Sequence, residues 1–252
     1  MFMKTLKQLT VFALSLLILT GCMNDDDNND KYWINIATVE NPDNSTEFFL
    51  RLDDSTRLWT ESSVFSNYKP ANGQRVIANY SILSDKRGTG LYDYDIQLND
   101  VYQVLTKGIF QITPAAEDSI GNDSIYVAAD DIWIGSKYLN IEFYYQGYSK
   151  THFINLVSDA SKNYNDGKIH LEFRHNANND QPVYNRWGIV SFDLSSLENN
   201  ATDSVKLVIH VNLPDKAGDT TFERTYRYKS APAGVKKNLK SSYFNNKDVG
   251  LE

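Results

Sequence analysis

Gly73-Gln74-Arg75-Val76-Ile77-Ala78-Asn79-Tyr80-Ser81-Ile82-Leu83 is the stretch whose reading decides the fold. Val76, Ala78, Tyr80 and Ile82 fall at every second position, the pattern of a β-strand with one buried face. The same period extends outward in both directions. Upstream, Tyr32–Glu40 and Thr46–Leu52 read as strands joined by the turn Asn41-Pro42-Asp43-Asn44, with Phe48, Leu50 and Leu52 on one face. Asp53-Asp54-Ser55 turns the chain tightly into Arg57–Thr60. Downstream of the loop Ser84–Gly90, the strand Leu91–Leu98 places Tyr92, Tyr94, Ile96 and Leu98 inward and Asp93, Asp95 and Gln97 outward. Val101–Thr106 and Gly108–Thr113 close this block. Five or six such strands predict a small OB-like β-barrel over residues 32–115.

Pro114–Asn122 reads as a linker, and a second set of strands follows it. Asp131–Tyr145 and Thr151–Val157 are expected to pair. Asn165-Asp166-Gly167 is a hairpin signal leading into Lys168–His175, where Leu171 and Phe173 share one face and His170, Glu172 and Arg174 the other. Gly188–Leu194, Ser204–Leu213 and Thr221–Lys229 complete about seven strands, the pattern of a β-sandwich over residues 116–230. Residues 231–252 lack periodicity and read as a tail. The expected fold class is all-β, an N-terminal OB-like barrel followed by a C-terminal β-sandwich.

Leu16-Leu17-Ile18-Leu19-Thr20-Gly21-Cys22 fixes the address. Lys4 and Lys7 precede the apolar run Val11–Leu19, and small residues lead into the only cysteine. The run is far shorter than the roughly 18 apolar residues a membrane-spanning helix needs. It resembles the lipobox of a bacterial lipoprotein signal peptide: residues 1–21 are removed and Cys22 is acylated, anchoring the chain to a membrane outside the cytoplasm. Residues 22–31, containing Asp25-Asp26-Asp27, form an acidic flexible tether. Acidic runs at this place also resemble surface-export signals of Bacteroides-like lipoproteins. The expected location is the outer membrane, at the cell surface or on the periplasmic face.

Removing residues 1–21 takes away two lysines and no acid, so the net charge of −7 becomes −9. An acidic body is a poor partner for nucleic acid, which binds through Lys and Arg. With Cys22 lipidated no thiol remains for a disulfide, a thiolate metal site or a nucleophile. No Gly-x-Ser-x-Gly elbow and no Gly-x-x-x-x-Gly-Lys or Gly-x-Gly-x-x-Gly loop occurs. Arg87-Gly88-Thr89-Gly90 is a turn with no helix after it to cradle phosphate. His170 and His175 are five apart on a strand and point to opposite faces, unlike a zinc-protease pair; an ion pair on a solvent-facing strand surface explains that segment. His152 and His210 lie in other strands. Asp93 and Asp95, and Asp130-Asp131, are alternate or adjacent carboxylates that would serve a glycosidase but read more simply as solubilising. Trp33, Trp59, Trp133 and Trp187 would offer sugar-stacking faces, against which stands their ordinary use in β-domain cores. The reading is of no enzyme, no metal and no cofactor.

An ordered set of motifs resembles the NigD-like lipoproteins of Bacteroides and Prevotella-type bacteria. In the first block it comprises Leu52-Asp53-Asp54-Ser55-Thr56-Arg57-Leu58-Trp59, Tyr68-Lys69-Pro70, Gly73-Gln74-Arg75-Val76, Asn79-Tyr80-Ser81-Ile82-Leu83-Ser84-Asp85 and Val104–Ile109. In the second it comprises Ile120-Gly121-Asn122-Asp123, Asp131-Ile132-Trp133-Ile134-Gly135, Tyr138-Leu139-Asn140, His152-Phe153-Ile154-Asn155 and Leu171-Glu172-Phe173-Arg174-His175-Asn176. The resemblance implies an OB-like domain followed by a sandwich, and a role in bacteriocin production or immunity. It carries over no catalytic residue, so the polar motif residues read as turn and buried-network residues. The expected activity is binding: partners are the membrane, through Cys22, and a protein such as a bacteriocin or a glycan. A carbohydrate-binding accessory protein is the alternative, and a hydrolase using Asp93, His170 or His175 the last.

Overall fold

The computed structural model describes residues 31–88, 90–229, 239 and 251. The expected signal peptide, Cys22, all of the expected tether but Lys31, and most of the tail lie outside the described residues. Five strands close a barrel: β1 (Tyr32–Glu40), β2 (Phe49–Leu52), β3 (Arg57–Ser63), β4 (Arg75–Asp85) and β5 (Tyr94–Gln103), in the order β1-β2-β3-β5-β4. All neighbours are antiparallel except β3 and β5. Ala37, Val39, Leu50, Leu52, Leu58, Val76, Ala78, Tyr80, Ile96 and Leu98 fill its interior. Ile82 is corrected: it pairs with Ile96 in phase with Tyr80, but it lies toward the end of β4 where the strand leaves the core and is 38 % exposed, beside the exposed Leu83. Tyr92 is corrected as well, since it precedes β5 and packs against Phe49 and Trp59.

Two sheets form the sandwich. One is β14-β13-β11-β10-β7 and the other β6-β12-β9-β8, built from β6 (Leu105–Lys107), β7 (Ile109–Gln111), β8 (Ile132–Gly135), β9 (Tyr138–Gly147), β10 (Phe153–Ser158), β11 (Ile169–Asn176), β12 (Tyr184–Asp193), β13 (Ser204–Val211) and β14 (Thr220–Arg227). Phe143, Phe173 and Phe192 lie at the centre of its core. Residues 105–111, expected to close the barrel block, instead enter the sandwich. β6 runs parallel to β12, and past Gly108 β7 runs parallel to β10 in the opposite sheet. The expected pairing of Asp131–Tyr145 with Thr151–Val157 is also corrected. Ser136 and Lys137 turn β8 back on β9, whereas β10 pairs with β11 in the other sheet. The linker carries a one-turn helix, α1 (Glu117–Ile120), that lies against β11.

β1 and β4 bury both faces. Their outward residues Ile34, Ile36 and Ile77 meet Trp133, Trp187 and Ile189 of the sandwich sheet, joined by Val104 and Leu239. A polar network lies beside this apolar contact. Asp53, from the β2–β3 turn, takes 2.8 and 3.1 Å hydrogen bonds from Arg75. Asp53 also accepts from Trp133 Nε1 at 3.3 Å and Asn140 Nδ2 at 2.9 Å. Arg75, 1 % exposed, donates further to Thr38 Oγ1 and Asn140 Oδ1 and lies over the Tyr138 ring. Gly135 is required here: a Cβ would stand 2.1 Å from Asp53 Cγ.

Removing one partner of a buried ion pair leaves an uncompensated charge and costs about 3–5 kcal/mol. Asp53→Ala is therefore expected to lower the guanidinium unfolding midpoint sharply. The double variant Asp53→Leu/Arg75→Met is expected to recover much of the loss, because no charge is left stranded. Equal midpoints for the single variant and the wild type would show that the pair does not tie the barrel to the sandwich.

Candidate binding site at the end of the sandwich

β10 and β11 pair so that Ile154 lies opposite His175 and Phe153 opposite Asn176. His152, just before β10, thereby reaches His175 across the strand pair. The two rings stack at 17° with centroids 5.0 Å apart, and Nδ1 of His152 lies 2.8 Å from Nε2 of His175. Both are buried, at 1 % and 2 % exposure. The Ser124 carbonyl can only accept, so His175 Nδ1 donates to it at 3.3 Å. His175 Nε2 meets His152 Nδ1 in the 2.8 Å contact, and His152 Nε2 lies 3.2 Å from Asp180 Oδ2, so the two rings and the carboxylate form one chain. Asp180 also accepts from the Tyr148 and Ser149 amides. Burial opposes the Asp180 charge, but these two amides and His152 overcome it and hold the carboxyl well below its usual range. The loops behind this chain are locked too. Asp123 N donates to the His175 carbonyl and Ala177 N to Asp123 Oδ2. Gly121, at φ +68°, packs so close to Asn176 that a Cβ would stand 2.9 Å from its Cβ.

Tyr145 of β9 faces this histidine pair, its ring centroid 4.6 Å from that of His152. Its hydroxyl is buried and has no hydrogen-bond partner among the described residues, and burial pushes its pKa up. Tyr145, His175 and Asp180 line an open cavity of about 660 Å³ together with Asp123, Gln146 and Asn185. Around its rim Tyr126 and Tyr144, joined by a two-way backbone bridge, are 51 % and 38 % exposed. Further out, Tyr148 and Tyr184 pack together.

The other singled-out residues are dispersed. His170 and His210 form a second pair, Nδ1 to Nε2 2.8 Å, with Asp166 on the far nitrogen of His170 and the Tyr164 ring stacked 3.6 Å away. So His170 and His175 do face opposite sides, and each finds the histidine of another strand. Glu172 and Arg174 are corrected: at 5 % and 8 % exposure they are covered, Glu172 bonded to Lys162 and Arg174, and Arg174 reaching the Gly121 carbonyl. Asp95 is likewise 5 % exposed, bonded to Ser84 and Lys86, while Asp93 accepts from the Arg57 amide. Trp133 and Trp187 are buried in the junction, Trp33 packs on the barrel core and Trp59 stacks on Phe49. They form no common platform. Among the described residues no group of three or more His, Cys, Asp or Glu is arranged to hold a metal ion. Tyr145 was invisible to sequence reasoning, since an inward tyrosine on an alternating strand reads as ordinary core.

A closed five-strand barrel followed by a sandwich defines a two-domain OB-plus-sandwich protein. Residues 36–104 match the NigD-like N-terminal OB domain and residues 108–225 the NigD-like C-terminal beta sandwich domain. The chain belongs to the NigD-like family. It is 33 % identical to the crystal structure of a provisionally described toxin-related protein from Parabacteroides distasonis ATCC 8503, with a TM-score of 0.67 over 80 % of this chain and 96 % of that one. A protein of unknown function from Bacteroides vulgatus ATCC 8482 is 28 % identical, with a TM-score of 0.70 over 86 % of this chain and 99 % of that one. A NigD-like immunity protein from Bacteroides caccae ATCC 43185 shares the fold at 21 % identity, with a TM-score of 0.60 over 78 % and 97 %. No curated protein matches the chain.

Burial first, and then the neighbouring His152, lower the His175 pKa from 6.5 to about 4. The unfolded chain takes up this proton near pH 6.5 and the folded chain only near 4. The stability this contributes, about 3 kcal/mol at most, is complete above pH 6.5 and is lost as pH falls through that window. His175→Gln is expected to flatten the drop in melting temperature between pH 7 and pH 5, measured against the wild type. An unchanged drop would assign it to the other acidic and histidine groups.

Proposed function

We propose that this chain is a non-catalytic binding module of the cell envelope, lipid-anchored through Cys22 at the outer membrane, and that it protects the cell against a bacteriocin. The observation that carries the binding reading is the cavity at the sandwich end, lined by exposed aromatics and by Tyr145, whose buried hydroxyl has no partner among the described residues. Its histidines support a role without catalysis. Both ring nitrogens of His152, His175 and His170 are held by groups of the protein itself, so none of these three imidazoles is poised over a nucleophile. The lipobox residues Leu19-Thr20-Gly21-Cys22 support the anchor, and the acidic run beyond them supports display at the cell surface. The immunity-protein name of the Bacteroides caccae structure favours a toxin as the target of protection, by capture of the toxin or by masking of its receptor.

Deleting the gene is expected to raise sensitivity to bacteriocins from related producers, and expression from a plasmid to restore resistance. Cys22→Ala is expected to move the protein from the membrane to the soluble fraction and to fail in that restoration. Unchanged sensitivity across a panel of producers would count against protection. Full membrane retention of Cys22→Ala would count against the anchor.

A further inference from the structure

The geometry points to a neutral saccharide as the ligand of the Tyr145 cavity, recognised by tyrosine faces and by amide and hydroxyl groups. This rests on the reading of the chain as a binding module and names what the module binds. A volume of about 660 Å³ lies within the roughly 300–1,000 Å³ of small-ligand sites, enough for one or two sugar rings.

The lining selects the chemistry. Asp123 and Asp180 contribute two carboxylates, and neither lysine nor arginine is among the lining residues. An anionic ligand would meet repulsion with no compensating cation. Gln146 and Asn185, opposite each other in the β9–β12 register, each bring an amide that both donates and accepts, which suits a ligand bearing many hydroxyls. Tyr126 and Tyr144 supply partly exposed aromatic surface at the rim, the kind of flat apolar face on which a sugar ring packs. Tyr145 adds the one buried side-chain polar atom among the described residues that has no hydrogen-bond partner. A buried hydroxyl with no partner costs folding free energy that a ligand hydrogen bond would return.

Three other features of the described residues carry less. The His170–His210–Asp166 group satisfies itself internally, and the Phe49–Trp59–Tyr92 stack on the barrel is occupied by Arg57, which lies 3.7 Å over the Phe49 ring. The groove between residues 71–75 and 102–106 is lined mainly by backbone-paired strand ends and by Leu251.

The test is saturation-transfer NMR on the full mature chain, kept soluble by Cys22→Ser. The probes are methyl glucoside, methyl galactoside and N-acetylglucosamine, with glucose 6-phosphate and N-acetylneuraminate as anionic comparators. At least one neutral sugar is expected to receive saturation, with the anions weaker. Tyr145→Phe is expected to weaken that sugar about tenfold, the loss of one hydrogen bond, while its melting temperature stays equal to that of the wild type or rises. Four results would overturn the inference: no transfer to any neutral sugar at millimolar concentration, preference for the anions, undiminished binding in Tyr145→Phe, or a marked fall in its melting temperature, which would show the hydroxyl to be a structural partner. The outcomes separate from those above. Protection of cells by a chain that takes up no neutral sugar would overturn the saccharide alone. Sugar binding by a chain whose deletion leaves sensitivity unchanged would overturn protection alone.

Discussion

Arg75 and Asp53 form an ion pair that neither domain can satisfy alone. A buried guanidinium has five N–H groups to place. Thr38 and Asp53 take some within the barrel, and Asn140 takes another from the sandwich. Asp53 in turn needs Trp133 and Asn140 across the boundary. Both charges are out of water, so a shift of either domain would strand one of them. The apolar contact of Ile34, Ile36 and Ile77 with the two tryptophans supplies the area. The ion pair supplies the register, because apolar packing is non-directional and charge-assisted hydrogen bonds are not. The family motifs converge here: Asp53, Arg75, Trp133, Gly135, Tyr138 and Asn140 all meet within this one network.

The same strand serves the far end. β9 begins at Tyr138 over the Arg75 guanidinium and reaches Tyr145 seven residues later, roughly 23 Å along an extended chain. Alternation divides its labour. Asn140 and Glu142 look toward the barrel side, Glu142 accepting from Trp187 Nε1, and Ile141, Phe143 and Tyr145 look into the sandwich core. A junction fixed at one end of β9 therefore fixes where Tyr145 stands at the other. The remaining motifs of the second block gather around that second end: Gly121 and Asp123 behind His175, His152 against it, and Arg174 and Asn176 beside it.

Period-two patterning was enough to find the barrel, the sandwich and most of their strands, because each buries one face and the alternation records it. It was blind to events that leave the pattern intact. Residues 105–111 alternate like any strand, and the switch between sheets at Gly108 is decided by which neighbour offers free backbone groups. Ile82 keeps the phase of Tyr80 and still pairs with Ile96, but alternation does not say where along a strand the core ends, and Ile82 lies beyond it. Burial of Glu172 and Arg174 was hidden because polar residues read as solvent-facing until a cover is known, here α1 and the 159–168 loop. The histidines show how far the site could be read. Opposite faces for His170 and His175 followed from strand geometry, but their partners His152 and His210 come from β-pairings of long sequence separation, which no local pattern encodes.

The two histidine pairs bear on what such a body can recognise. In a catalytic site an imidazole or carboxylate keeps one face open to a substrate. Here His152, His175, Asp180, Arg174 and Glu172 spend their hydrogen bonds on one another and on loop backbone. That expenditure has a structural return: it seals the end of the sandwich where the core would otherwise meet water, and ties down the loops between residues 121 and 126 and between 176 and 185. With its ionisable groups consumed in this way, the sandwich end is left with shape, aromatic surface and a few amides and hydroxyls. Groups of this kind suit recognition of a ligand by fit and hydrogen bonding. A rigid loop frame around them lowers the ordering cost of binding, which is the setting in which a single unpaired hydroxyl such as that of Tyr145 can decide affinity.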